Sequence, residues 1–400
     1  MSQSGVGTRE LSKNEVKRYL LFRKNSTSSN LDKQKTKREF TRLFLEYAFF
    51  GDETNHLKSP VLVSWDITSK CNSKCKICYY YPTFAPHKED LSLSNLKEIA
   101  HKLHKGEVLE VTLGGGEPLI RKDFENILKT IKEYDFFTYL LTNGILLQNT
   151  RANKIYALLD DDDMIQISLD GATRETYLKQ RGIDAFDTVV KNISNAIKNG
   201  VATHCNCVAT SLNSSEIPKI YELCSELGVG SLTITMPAFL GRFKADLFVH
   251  QRILVRRILE TLELKEENGY KTQLIDGLGL PYSLDEIRKA VNPKEKNLNA
   301  HPHCLAGTGK AAISSIGDVY PCTFAMYPEF NAGNLLKDSL EKIWNNSKAF
   351  AKFRGGRDLS KAKCSKCKFV NMCRGGCPGV TKNCFGDVNH ADPRCMATVM

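Results

Sequence analysis

From residue 60 onward, apolar positions gather in short β-branched or aromatic runs at 61–67, 108–113, 137–141, 164–169, 202–209 and 231–236. Between them lie amphipathic stretches with apolar residues at helical spacing, roughly 93–105, 122–134, 151–160, 186–199 and 215–227, the last closed by Gly228. Strands alternating with helices at a period near thirty residues predict parallel βα units joined by right-handed crossovers. Six units are fewer than a closed eightfold barrel needs, so the expected fold is α/β, with an open, partial (β/α)6 barrel over residues 59–240.

The flanks read differently. Residues 1–58 form a charged segment in which amphipathic stretches near 10–24 and 33–50 flank a Ser/Thr/Asn-rich break. Two helices packed outside the next domain are expected there, with a partner-docking arm as the alternative. Residues 241–300 predict a polar helical bridge, with helices near 246–267 and 284–291. From 301 to 400 the chain turns to Gly, Cys, Pro and short runs, the pattern of a small module held by metal more than by apolar burial.

Composition narrows the class. At 400 residues, 42% hydrophobic and 25% charged, the chain is neither a disulfide miniprotein nor mostly disordered. No apolar run approaches the ~18 residues of a membrane span. The first residues lack a basic region followed by an apolar block, so the expected location is cytoplasmic, without a membrane partner. The net charge of +11 carries no interleaving of aromatic and basic residues, so no nucleic-acid partner is expected. Fourteen cysteines in such a chain point to metal ligation before disulfides.

Ligands of parallel α/β folds bind where strands reach their carboxyl edge. The first predicted strand runs into Cys71, Cys75 and Cys78, a C-x3-C-x2-C; the second into Gly114-Gly115-Gly116-Glu117-Pro118; the third into Thr142-Asn143-Gly144; the fourth into Ser168-Leu169-Asp170-Gly171, with Arg181 beyond. Structural zinc takes four ligands, whereas a [4Fe–4S] cube can leave one iron without protein sulfur. An open iron needs a small chelator, and an amino acid's amino and carboxylate groups serve. Glycines 114–116 allow close backbone approach, Glu117 could take the ammonium, and Ser168, Asp170 and Arg181 could hold ribose hydroxyls and a carboxylate. The alternatives are a zinc site completed by a distant His, a solvated Glu117, and a surface Asp170–Arg181 ion pair.

These motifs, with Tyr79 after the third cysteine, resemble the radical S-adenosylmethionine (SAM) superfamily over roughly residues 60–240. The resemblance implies that Cys71, Cys75 and Cys78 hold a [4Fe–4S] cluster whose open iron is chelated by SAM. It places Tyr79, Gly115, Gly116, Glu117, Asn143, Ser168, Asp170 and Arg181 around that nucleotide. In the family the reduced cluster cleaves the sulfonium, and the resulting 5′-deoxyadenosyl radical takes a hydrogen atom from the substrate. An external electron donor such as flavodoxin or ferredoxin is implied.

The tail carries Cys304 and Cys322, then Cys364-x2-Cys367-x5-Cys373-x3-Cys377, and finally Cys395. Two neighbouring metal centres account for seven such sulfurs, while the run 364–377 alone would also suit a zinc ribbon. With Gly333-Asn334-Leu335 and Ile343-Trp344, the arrangement resembles the SPASM domain, an auxiliary-cluster module of certain radical SAM enzymes. The resemblance implies two further [4Fe–4S] clusters, three in all. Cys304, Cys322 and Cys377 would hold the nearer one, and Cys364, Cys367, Cys373 and Cys395 the farther one. No further cysteine follows Cys304 within ten residues, so the nearer cluster keeps an open iron, or Cys384 or a non-cysteine residue closes it. Ten ligating thiolates and three clusters would lower the net charge of +11 to about +7.

Cys205 and Cys207 share one face of a predicted strand, and are expected in the core, with hydrogen donation to a substrate radical as the alternative. Cys224 is expected in the core too. The resemblance makes a peptide or protein the leading substrate, modified by cross-linking, thioether formation or side-chain oxidation. The alternatives are radical modification of a small metabolite such as a tetrapyrrole, and a non-catalytic iron–sulfur electron carrier. The 58 N-terminal residues are too few for the leader-binding winged helix of many peptide maturases. No acid or base is assignable from the sequence alone.

Overall fold

The computed structural model describes residues 59–80, 89–277, 304–354, 357–367 and 370–395. Each of the six predicted runs becomes a strand: β1 (Leu62–Thr68), β2 (Glu110–Gly115), β3 (Phe137–Thr142), β4 (Met164–Ser168), β5 (Thr203–Val208) and β6 (Ser231–Thr235). Each pairs in parallel with the next. The crossovers hold α1 (Leu93–Lys105), α2 (Phe124–Lys132), α3 (Asn149–Tyr156), α4 (Arg174–Arg181), α5 (Phe186–Lys198) and α6 (Ile217–Leu227). The periodicity did not predict α4, which is short and mostly polar. Thr173 starts it by accepting from the Thr176 amide, and Gly182, at φ 68°, ends it.

Alternation sets which face each strand shows. Val63, Trp65 and Ile67 of β1 join Val111, Leu113, Leu140, Ile165, Ile167, Leu232 and Ile234 in one core beneath the helices. The intervening residues, Ser64 and Asp66 of β1 and their register partners, therefore line the opposite, concave face.

Four strands extend the predicted sheet, one at one edge and three at the other. Beyond α7 (Gln251–Glu267), β7 (Gln273–Gly277) pairs in parallel with β6, Ser231 opposite Gln273 through Thr235 opposite Gly277. The expectation of a polar helical bridge over 241–300 did not include this strand. Its five residues carry few apolar positions, and their conformation comes from the β6 edge rather than from local propensity. The helix expected near 284–291 and both N-terminal stretches lie outside the described residues.

At the other edge, β8 (Lys310–Ile313) pairs in parallel with β1 and returns through Gly317, at φ 84°, into antiparallel β9 (Asp318–Tyr320), beside β10 (Gly333–Asn334). The cysteine-rich region thus continues the barrel sheet, in the order β10-β9-β8-β1-β2-β3-β4-β5-β6-β7. Then follow α8 (Leu340–Asn346), α9 (Lys348–Arg354), α10 (Val370–Cys373) and α11 (Pro378–Phe385). Arg354 lies 4.5 Å over the Trp344 ring, closing the small core between α8 and α9. Among the described residues no helix is long and apolar enough to cross a membrane.

Candidate active site

The cysteine loop leaves β1 and is met from below by the glycines that end β2. The Gly116 amide donates to Thr68 O at 2.9 Å and the Glu117 amide to Lys70 O at 2.8 Å. A Cβ on Gly115 would sit 2.2 Å from Thr68 O, and one on Gly116 2.1 Å from Lys70 O. Only glycine lets these two backbones lie this close. Cys75 is buried, Cys78 half-buried and Cys71 exposed. Burial pushes the Cys75 thiol up and the Arg181 guanidinium pulls it back.

Glu117 is enclosed by protein, not solvated. Its carboxylate is 1% exposed and accepts from the Thr142 hydroxyl (2.7 Å), the Asn143 amide (2.7 Å) and the Leu119 amide (3.1 Å). The side chain joins the second loop to the third and caps the turn at Pro118–Ile120. Asn143 is also engaged by protein: its Nδ2 donates to Asn72 Oδ1 at 2.7 Å and its Oδ1 accepts from the Ile145 amide. Both residues hold loops to one another, which sequence spacing alone does not reveal.

Asp170 and Arg181 form a buried pair at 2.9 Å, not a surface one. Asp170 also accepts from the Val208 amide at 2.7 Å, so its carboxylate anchors the fourth loop to the fifth strand. The Arg181 Nε is buried without a hydrogen-bond partner among the described residues. Gln180 O, beside it, accepts from the Lys76 amide, which ties α4 to the cysteine loop. Ser168 ends β4 opposite Asn206, on the concave face. Tyr79 packs edge-on against Phe324 at 5.0 Å, so the residue after Cys78 touches the segment just after Cys322.

The tail thiols fall into two neighbourhoods. Burial raises the Cys322 thiol, and Cys377 and Cys304 beside it add to the rise. Burial likewise raises Cys364 and Cys373; Cys395 neighbours both, and Cys367 neighbours Cys364. Cys384 is exposed, and its charged neighbours are Asp392 and Arg394 rather than other thiols. Sequence reasoning missed the residues that link the two neighbourhoods. Asp392 Oδ2 accepts from the Cys377 amide at 2.8 Å, Asp392 O accepts from the Cys395 amide at 3.0 Å, and Arg394 closes on the Asp392 carboxylate at 2.7 Å. Arg357 donates to the carbonyls of Arg374 and Gly376. Among the described residues no three His, Cys, Asp or Glu side chains converge tightly enough to hold a single metal ion.

The Radical SAM superfamily profile matches residues 65–224, and the profile of the SPASM iron–sulfur cluster-binding domain matches residues 304–368. The chain is a radical SAM protein with a SPASM domain. It is 29% identical over 348 residues to a mycofactocin maturase of Mycolicibacterium smegmatis, covering 85% of this chain and 83% of the relative. It is 27% identical to an AdoMet-dependent heme synthase of Methanosarcina barkeri, over 84% of this chain and 97% of that protein. Among solved structures, Streptococcus suis SuiB bound to its precursor peptide SuiA shares the fold, at TM-score 0.71 and 18% identity over 96% of this chain and 87% of that one.

The radical SAM barrel has a polar interior. Tyr139 donates to Gln166 Oε1 at 3.1 Å, Thr112 to Glu110 Oε1 at 3.2 Å, and Asn206 to Thr235 Oγ1 at 3.4 Å. Cys205 and Cys207 face away from it: both are fully buried in the core beneath the helices, where Cys205 and Cys224 are hydrogen-bond partners. The alternative of a hydrogen-donating cysteine at this strand is thereby excluded.

Proposed function

We propose that this radical SAM enzyme modifies a peptide or protein, using SAM on the Cys71/Cys75/Cys78 cluster and two auxiliary clusters on the SPASM thiols. The thiols' chemistry supports the fit: three on one tight loop with one corner unassigned, and two further groups of neighbouring thiols sharing the Asp392 bridge. When bound, these groups supply reductive cleavage of the sulfonium and hydrogen-atom abstraction from the substrate. Ser168 and Arg181 would hold the nucleotide, Arg181 keeping a free Nε–H beside the Cys75 loop. Glu117 and Asn143 hold the loops that enclose it. The raised thiol pKa values mean that loading the clusters releases protons. Flavodoxin or ferredoxin would supply electrons.

The observation that carries the substrate reading is the concave face. Among the described inward positions of β1–β7 there is no arginine, and Asp66 and Glu110 stand there instead. Such a wall offers hydrogen-bonding partners to amide and ammonium groups and no arginine to the carboxylates of a tetrapyrrole. The maturase relative and SuiB, whose partner is a peptide, agree with this. A small-metabolite substrate is the second reading, favoured by the heme synthase relative. Incubating air-free, reconstituted and reduced enzyme with a peptide encoded beside its gene, or with iron coproporphyrin, and weighing the products distinguishes the two. Mass loss on the peptide alone supports the first, and modification of the porphyrin alone overturns it.

A further inference from the structure

We propose that Asp66 is the substrate anchor of the barrel, a buried carboxyl that receives an ammonium group of the molecule being modified. Asp66 alternates with Val63, Trp65 and Ile67, which pack beneath the helices, so it faces the concave side at the carboxyl end of β1. It is 2% exposed, and its Oδ2 has no hydrogen-bond partner among the described residues. A buried carboxyl oxygen without a donor is costly, and such an orphan calls for a partner, whether water, ion or ligand.

The space beside it is formed by Gly114. A Cβ at that position would lie 3.6 Å from Asp66 Oδ1 and 3.7 Å from the Leu141 side chain, so the glycine leaves a niche between a carboxyl and an apolar wall. An alkylammonium matches both surfaces. The charge balance points the same way. Lys310, on β8, acts on both Asp66 and Glu110, so the corner holds two carboxyls and one ammonium. Lys310 can offset one of the two carboxyls; an incoming cation offsets the other as it ionises, whereas an incoming carboxylate would oppose that ionisation. Burial raises the Asp66 carboxyl to about 8, with Lys310 opposing, so in the empty corner it is largely protonated at neutral pH. An arriving ammonium stabilises the ionised form and displaces that proton. Tyr79 and Tyr80 border the carboxyl from the cysteine loop, which places the anchor beside the reacting end of the barrel.

The inference rests on the peptide-modifying reading only for the source of the ammonium. The test therefore uses reconstituted holoenzyme without reductant, titrated calorimetrically with n-butylammonium and, separately, with butanoate. n-Butylammonium binding with proton release, and no binding of butanoate, is expected. Asp66→Asn should weaken n-butylammonium by about tenfold or more, with iron content and SAM affinity unchanged. Gly114→Ala, which fills the niche without disturbing the carboxyl, should weaken it as well, and decides the matter if Asp66→Asn fails to retain its clusters. Unchanged n-butylammonium affinity in both variants, butanoate bound as tightly as n-butylammonium, or an Asp66→Asn defect confined to SAM binding would overturn the proposal. Failure of the enzyme reading shows separately, as absence of 5′-deoxyadenosine from the reduced wild-type protein.

Discussion

Asn143 reaches from the end of β3 to the cysteine loop and joins Asn72 side chain to side chain, Nδ2 to Oδ1 at 2.7 Å. That contact locks the residue immediately after Cys71. Asn143→Ala removes it together with the Ile145 cap, at a cost of about 1–2 kcal/mol. The expected result is faster bleaching of the cluster absorbance by an iron chelator, with SPASM iron retained. Bleaching at the wild-type rate would show that the staple does not hold the loop.

Gly116 offers a steric test of the same loop. Its Cβ would fall 2.1 Å from Lys70 O, a backbone atom with no freedom to move away. Gly116→Ala is expected to lower stability by about 2–4 kcal/mol and to depress iron loading. Thermal unfolding and iron analysis check it.

Much of this was legible beforehand. The βα period located six strands because each buries alternate apolar residues under a helix, and four of their carboxyl ends carried recognisable loops. What stayed hidden depended on long-range partners. β7 forms because β6 offers an edge, and β8 joins β1 from 248 positions later, Leu62 opposite Lys310. That Thr142 and Asn143 fold over Glu117 is not written in its neighbours' identities. Asp66 and Asp392 carry no local motif, and their importance appears only when burial and partners are known.

Asp66 leaves a pH signature on stability. Its carboxyl is raised from 3.8 to about 8 in the folded chain by burial, so the unfolded chain ionises first and stability falls as pH climbs from about 4 to about 8. Asp66→Asn removes that loss. The melting temperatures of variant and wild type should coincide near pH 4 and separate in favour of the variant by pH 8, with about 6 kcal/mol as the upper bound. A constant difference across that range would contradict the placement of Asp66.

Asp392 provides the counterpart in the tail. Burial opposes its ionisation, yet Arg394 and the amides of Arg394 and Cys377 hold the carboxyl below its ordinary value. Asp392→Ala frees the Cys377 amide and strands the Arg394 charge. Iron should fall from about twelve per chain toward about four, while the Cys71/Cys75/Cys78 cluster persists. Electron paramagnetic resonance of the reduced variant, with and without SAM, reports which cluster remains.

The central claim is that Cys71, Cys75 and Cys78 hold a cluster that activates SAM. Its most direct test is quantifying 5′-deoxyadenosine formed from SAM by air-free, reduced protein, wild type beside Cys75→Ala. The account predicts accumulation with the wild type and none above background with the variant. Equal amounts from the two proteins would contradict it.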